Sequence, residues 1–269
     1  MCTYSSKVEE HYKFVVEKGH IHGYEVIATC LIGSQNYGLD TPTSDVDTIS
    51  VAVPYFEYIC YGSPKIDHTW DFDDGGKAKV RDYRSFALND LRKCCFTNTE
   101  ALYSTKVVVN PAYKEVWNFL MENREIIMRA DYNATVRSML GYVTSMESRI
   151  QKEGFSGYRE DLGMNPKMFM HAVRAFDWLT KFAANKVPTE ELFNAAYLSD
   201  LREMSMDNCL YEKYSNYLSN CRDIFNSYLE LKLYPPQDFR AEEILEQFCV
   251  MVVKTLLLKG EYDDVDARV

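Results

Sequence analysis

The sequence has no apolar run long enough to cross a membrane. Its most apolar late stretch, Phe248–Leu258, is short and interrupted by Lys254, whereas a spanning helix needs about 20 apolar residues. The opening segment, MCTYSSKVEEHYKFVVEKGH, is polar and charged, so it is not expected to act as a secretory signal peptide. No C-x-x-C pair occurs: Cys94 and Cys95 are adjacent, and His20-x-His22 has no second pair at zinc-ligand spacing. Eight cysteines in 269 residues do not make a disulfide scaffold and read as reduced thiols. A soluble cytoplasmic protein is the expectation. Basic charge is also in deficit, with 30 Lys and Arg against 40 Asp and Glu, a net charge of −10. That balance argues against a long RNA or DNA footprint. There is no internal repeat and no low-complexity segment.

What is there is ordinary in bulk: 46% hydrophobic and 26% charged residues, with length for one large domain or two small ones. The charge is uneven. Residues 1–112 carry 11 basic and 15 acidic side chains, residues 113–188 carry 11 and 9, and residues 189–269 carry 8 and 16. An anion-binding surface is therefore expected to include the middle segment.

The most informative stretch is Glu25–Pro54, EVIATCLIGSQNYGLDTPTSDVDTISVAVP. Val26–Ile32 reads as a short buried strand, followed by a turn at Gly33-Ser34 and a polar loop through Gly38 and Pro42. Asp45-Val46-Asp47 opens a second alternating run, Thr48–Val53. Strand side chains alternate, so Asp45 and Asp47 share a face, with Cα atoms roughly 6.5 Å apart. Two carboxylates so held suit a hard cation such as Mg²⁺, and Gly33-Ser34 can offer N–H groups and a hydroxyl to phosphate oxygens.

The pattern Gly33-Ser34-x-x-Tyr37-Gly38-Leu39-x-x-Pro42-x-Ser44-Asp45-x-Asp47 resembles the nucleotidyltransferase signature of the DNA-polymerase-β-like superfamily. Within it, the chain looks like the predicted nucleotidyltransferases associated with RNA repair and phage genomes. Lys79–Tyr103 is similar to the same family, although Asn98 and Glu100 are one residue apart where the family has Asn-x-x-Glu. The stretch Asn165–Arg174 also resembles it, through Lys-x-x-x-His-x-x-Arg at Lys167, His171 and Arg174.

Elsewhere the chain reads as follows. Residues 4–19 form a helix. Tyr55–Tyr61 is a strand or a helix, and Ser63-Pro64 and Gly75-Gly76 are turns. Gly62-Ser63 followed by Asp71-Phe72-Asp73 imitates the signature, but the spacing is short and no apolar strand follows; an acidic loop or hairpin is expected there. Lys77–Tyr83 alternates, with Ala78, Val80 and Asp82 on one face and Lys79, Arg81 and Tyr83 on the other. Asp82, ending the apolar face, is the candidate third carboxylate of a two-metal site. Asp73 and Glu100 stand in reserve, and the bland alternative makes Asp82 a helix cap. A helix over Ser85–Cys95 and a short strand at Val107–Val109 complete this half. From Pro111 the chain reads as helical: 112–130, 133–151, 167–184, 189–204, 208–231 and 240–258, with Asn165 capping the helix that Pro166 opens and an acidic, frayed tail after Gly260. Lys167, His171 and Arg174 form one helical stripe, a cationic ridge suited to a triphosphate.

The resemblance implies an α/β (α+β) fold, with a small mixed-sheet polymerase-β-like nucleotidyltransferase domain over residues 1–111 and an all-helical domain over residues 112–269. It implies an active site in the cleft between them, faced by the Lys167 ridge. Asp45, Asp47 and Asp82 would hold two Mg²⁺ ions, or Mn²⁺ in their place. Gly33, Ser34, Lys167, His171 and Arg174 would bind the NTP, and Asp82 would act as general base. The reaction implied is transfer of NMP from an NTP to an acceptor hydroxyl with release of pyrophosphate. An RNA 3′ end suits the family's context; a protein side chain or a small molecule suits the acidic balance. A nucleotide-binding module without catalysis is the competing class.

Overall fold

The computed structural model of this chain describes residues 3–62, 66–155, 157–184, 189–201, 209–232, 235 and 237–266. Its first elements follow the hydrophobic pattern. Apolar residues at helical spacing give α1 (Thr3–His22), and the apolar run after it gives β1 (Tyr24–Ile32). One short turn, α2 (Ser34–Tyr37), leads through the polar loop to β2 (Asp47–Pro54). β1 and β2 pair antiparallel from Ile32↔Asp47 to Tyr24↔Pro54, with a bulge between Val26 and Ala28. The segment left open between strand and helix is a helix, α3 (Phe56–Cys60). Ser63 and Pro64 lie outside the described residues. The acidic stretch is indeed one arm of a hairpin: β3 (Asp67–Asp71) pairs antiparallel with β4 (Lys77–Asp82). With β5 (Val107–Val109) the sheet has five strands in the order β3-β4-β2-β1-β5, mixed because β2 and β4 run parallel.

The two faces of this sheet are covered differently. On one, α1 packs through Val15 against Val26, Ala52, Ala78 and Val80, and His11 Nδ1 meets Thr48 Oγ1 at 3.1 Å. On the other, Ile49, Val51 and Val53 join an apolar cluster with Phe86, Trp117, Phe169, Phe176 and Phe248. That cluster crosses the turn at Asn110–Pro111 without a break and reaches Val252. Burying β-branched strand residues against helices on both sides is the usual way a central strand such as β2 becomes fully apolar.

After β4 the described elements are helical apart from β5, so the α+β class expected from the sequence is what is found. The helix expected over Ser85–Cys95 is a π-helix at Ser85–Leu91. Its wide turns are closed by Arg92 N–H to Ala87 O (3.0 Å) and Cys95 N–H to Asp90 O (2.7 Å). α4 (Phe96–Thr99) runs into a 3₁₀ turn at Glu100–Tyr103. The helix expected over 112–130 is broken into α5 (Lys114–Glu122) and α6 (Arg124–Met128). Asn123 sits at the break and donates from Nδ2 to Phe119 O (2.8 Å), a local side-chain bond of the kind that competes with helix continuation. α7 (Tyr132–Ile150) and α8 (Pro166–Ala184) match expectation, and Asn165 Oδ1 accepts from Met168 N–H (3.2 Å) as the cap.

The helix expected at 189–204 is instead two 3₁₀ segments, Thr189–Phe193 and Ala196–Leu201; 202–204 lie outside the described residues. Between them Ala195 N–H is given to Tyr37 O (2.9 Å) and Asn194 Oδ1 takes Ala196 N–H (3.2 Å), so tertiary and side-chain bonds replace helical ones. α9 (Cys209–Glu230) precedes α10 (Arg240–Asp266), which runs past the expected end at Leu258 into the acidic tail. α10 returns to the first half of the chain, where Lys259 pairs with Glu25 and Arg92 with Glu242 (2.5 Å). Among the described residues no helix is long and apolar enough to cross a membrane.

The β3–β4 turn is held close to the start of β2. A Cβ on Gly76 would stand 2.5 Å from Val46 O, a backbone atom that cannot swing aside. Gly76→Ala is therefore expected to destabilise the protein by about 1–3 kcal/mol through overpacking, as read by urea unfolding. An unchanged midpoint would show that the turn does not hold Val46, and with it the two flanking aspartates, in place.

Candidate active site

Asp45 and Asp47 stand at the entrance of β2, both half-buried. Two glycines wall them in. A Cβ on Gly33 would meet Asp47 Oδ2 at 3.4 Å, and one on Gly75 would meet Asp45 Oδ2 at 3.7 Å. Gly33 has φ +83°, a conformation side chains disfavour, so glycine serves there for the turn. Asp47 Oδ1 accepts from Lys77 N–H (3.1 Å). Burial, then the charge of Asp45, hold the Asp47 carboxyl above the usual range, while Lys79, the Lys77 N–H and Lys167 pull it back. The two aspartates thus repel one another in partly desolvated surroundings, and the charges of Lys79 and Lys167 offset part of that repulsion at Asp47.

Behind Gly33 lies a buried network that sequence reasoning did not assign. Glu100 Oε1 accepts from Gly33 N–H (2.7 Å) and from Asn36 Nδ2 (3.1 Å), and Tyr37 Oη donates to Oε2. Asn36 Oδ1 in turn accepts from Thr105 N–H (2.7 Å). The N–H of Gly33, expected to face phosphate, is therefore committed to Glu100. This corrects the expected phosphate role of the Gly33 backbone. Ser34 is half-buried at the start of α2. Burial pushes Glu100 up to about 7, against the pull of Tyr37, Arg174 and the donors from Gly33 and Asn36.

Arg174 belongs to this network and not to an exposed ridge. It is buried, with its guanidinium carbon 3.7 Å from the centroid of Tyr37 and 5.1 Å from that of Phe96. Burial opposes its charge, but Tyr37, Tyr142 and Glu100 keep its pKa above the ordinary value. The expected stripe Lys167–His171–Arg174 therefore runs from surface to core: Lys167 is exposed, His171 half-buried and Arg174 buried. Only Lys167 is placed to act on Asp47. One helix face bears three chemically distinct environments because the start of α8 is open at Lys167, whereas its middle, Ala172 to Phe176, is buried throughout against neighbours that include α7 and α9.

Asp82 requires the plainest correction. β2 and β4 are parallel with Asp47 opposite Lys77 and Ala52 opposite Asp82, so five residues, roughly 16 Å of strand, separate it from the aspartate pair. It also belongs to the other face, the one shared by Ala52, Ala78 and Val80 beneath α1. There it is buried, and Oδ1 accepts from Arg84 N–H and Ser85 N–H (3.0 Å each). Asp82 caps the turn into the π-helix, and it is neither a ligand nor a base for this site. Of the reserves, Glu100 is engaged with Gly33, and Asp73 is exposed in the β3–β4 turn. Among the described residues no group of three carboxylates, histidines or cysteines is arranged to hold a metal. The residues that β4 does present on the Asp47 face are Lys77, Lys79 and Arg81, with Lys79 opposite Ile49.

No protein-family model matches the chain, and no curated protein sequence does. Among solved structures it is similar to a nucleotidyltransferase-like protein from Exiguobacterium sibiricum 255-15, at 10% identity and a TM-score of 0.30, over 82% of this chain and 75% of that one. A likeness this distant says nothing about individual residues.

Two expected outcomes follow from the placement of the carboxylates. Asp82→Ala should lower stability by about 1–2 kcal/mol, the cost of losing a side-chain cap, and, if Asp45 and Asp47 bind Mn²⁺, should leave that binding unchanged. Loss of Mn²⁺ binding in a folded Asp82→Ala protein would return Asp82 to the site. Glu100 keeps its proton more tightly folded than unfolded, so its contribution is complete below the ordinary glutamate pKa. It declines as pH rises through about 7. Thermal unfolding of wild type and Glu100→Gln between pH 4 and 8 should show wild type losing ground to the variant as pH rises. A parallel pair of curves would mean that the carboxyl titrates alike in both states.

Proposed function

We propose that this protein is a nucleotidyltransferase, transferring NMP from an NTP to an acceptor hydroxyl. One observation carries the reading: Asp45 and Asp47 stand together, half-buried, at the start of β2, the charges of Lys79 and Lys167 act on Asp47, and neither lysine makes a hydrogen bond or ion pair through its ammonium among the described residues. Paired carboxylates draw a divalent cation, while unpaired lysines draw an anion. A metal–triphosphate complex satisfies both. The signature Gly33-Ser34…Asp45-x-Asp47, which resembles the polymerase-β-like superfamily, supports the same assignment.

The residues fit one divalent ion, Mg²⁺ or Mn²⁺, since an all-oxygen pair of carboxylates suits a hard cation. They do not fit two, because Asp82 is on the other face and Glu100 is engaged elsewhere. When bound at Asp45 and Asp47, such an ion would neutralise phosphate charge and polarise the oxygens it touches. The chain's own groups do the remaining work. Gly33 and Gly75 line the carboxylates, and Lys167, exposed at the start of α8, holds the terminal phosphates from that helix. With the Gly33 N–H turned inward, phosphate contacts fall to these side chains and to the Ser34 hydroxyl.

In the step itself a bond forms between the acceptor oxygen and the α-phosphorus. The bond from that phosphorus to the bridging oxygen breaks, and pyrophosphate leaves with the electron pair. The acceptor proton passes to solvent at the open mouth. The acceptor proposed is an RNA 3′ end, in keeping with the family resembled and with the 11 basic against 9 acidic residues of 113–188.

A second reading, a module that binds nucleotide without transferring it, is favoured by one observation: the carboxylate expected to act as general base, Asp82, lies outside the site. Incubation with each α-labelled NTP, Mg²⁺ or Mn²⁺, and total RNA or cell extract separates the two. Label should enter RNA, and Asp45→Asn with Asp47→Asn should reduce transfer by on the order of a hundredfold or more, with the fold kept. Label entering protein instead would change the acceptor and keep the reaction. No label with any NTP, from a folded protein that binds nucleotide, would establish the second reading.

A further inference from the structure

The face of β4 turned toward Asp47 carries three cations in a row, and they are not equivalent. Lys77, Lys79 and Arg81 stand opposite Asp71, Thr69 and Asp67 of β3. Lys77 Nζ pairs with Asp71 (2.8 Å). Arg81 pairs with Asp67 (2.7 Å) and, through two bonds of 2.8 Å, with Asp90 of the π-helix. Each outer cation thus has its own carboxylate, as cross-strand charge pairing leads one to expect. Lys79 faces the neutral Thr69 and is left without one among the described residues. Its charge acts on Asp47, although the two form no ion pair. The strand is built to satisfy its neighbours and to leave this ammonium for the site.

We infer that Lys79 is a fixed cation in place of a second divalent ion, contacting the triphosphate directly, so that the site takes one metal ion per nucleotide. This rests on the nucleotidyltransferase reading for the identity of the ligand, and it adds a phosphate-binding residue and a metal stoichiometry. An ammonium has no open coordination position, so it offers charge and three N–H donors to phosphate oxygens without polarising an attacking hydroxyl. Lys167 on α8 supplies the opposing cation. Between them the two aspartates hold a single ion, because no carboxylate on β4 remains to bridge a second.

The test needs no turnover. Electron paramagnetic resonance counts protein-bound Mn²⁺ at saturating α,β-methylene nucleoside triphosphate, and equilibrium dialysis gives the affinity for that analogue. Wild type should bind one Mn²⁺ per chain. Lys79→Asp, which puts a carboxylate on β4 beside the pair, should bind two. Lys79→Gln should keep one ion and lose about tenfold in nucleotide affinity, the scale of one charge-assisted contact. Thr69→Asp should weaken nucleotide binding similarly by giving Lys79 the cross-strand partner its neighbours have. Because it changes only an edge strand away from the aspartates, it serves also if a Lys79 variant fails to fold. Two ions or none on wild type would overturn the inference, and so would unchanged nucleotide affinity in both Lys79→Gln and Thr69→Asp. Absence of label transfer beside one bound ion and Lys79-dependent affinity would sink the transferase reading alone.

Discussion

The parallel pairing of β2 with β4 is the constraint on which the site depends. Because Asp47 lies opposite Lys77, the residues that face the aspartate pair from the neighbouring strand are lysines. The carboxylate of the same strand is carried to the far end and the other face. A shift of one residue would exchange every side chain between faces, burying Lys79 under α1 and bringing Ala78 and Val80 to the site. Apolar packing of Ala78 and Val80 with Val15 and Val26 opposes that shift. The core that fixes the register therefore also fixes the chemistry of the mouth.

A second interaction links the site to the helical half. Glu100 receives the Gly33 N–H, while Arg174 of α8 stacks on Tyr37 beside it. Glu100 and Arg174 are both buried and their charges act on one another, so removing either leaves the other less compensated in low dielectric, which is costly. The position of α8, and so of Lys167 at its exposed start, is thereby tied to the same turn that walls Asp47. Asp45–Asp47 on the sheet and Lys167 on the helix are presented by one connected body of contacts, although they lie 120 residues apart in the chain.

Much of this was legible in the sequence where local pattern decides the outcome. The strand–turn–strand around Gly33-Ser34 and Asp45-x-Asp47, the acidic hairpin, the Asn165 cap and the long helices all follow from periodicity and turn chemistry. The failures share a cause. Asp82 alternates correctly with Ala78 and Val80, but alternation does not say which residue of β2 it will face, and that decides between ligand and cap. Arg174 has the spacing of a surface stripe with Lys167, but which part of α8 the rest of the fold covers is not a local property. The vacant partner of Lys79 becomes visible only once Asp67, Thr69 and Asp71 are aligned across the ladder.

The central claim is that Asp45 and Asp47 hold one divalent ion against a nucleotide that Lys79 also contacts. Crystals grown with Mn²⁺ and an α,β-methylene nucleoside triphosphate test it most directly, through the anomalous signal of the metal. The account predicts a single Mn²⁺ peak between the Asp45 and Asp47 carboxylates, with the Lys79 ammonium on a phosphate oxygen. A peak at Asp82, or two peaks at the aspartate pair with Lys79 turned away, would contradict it.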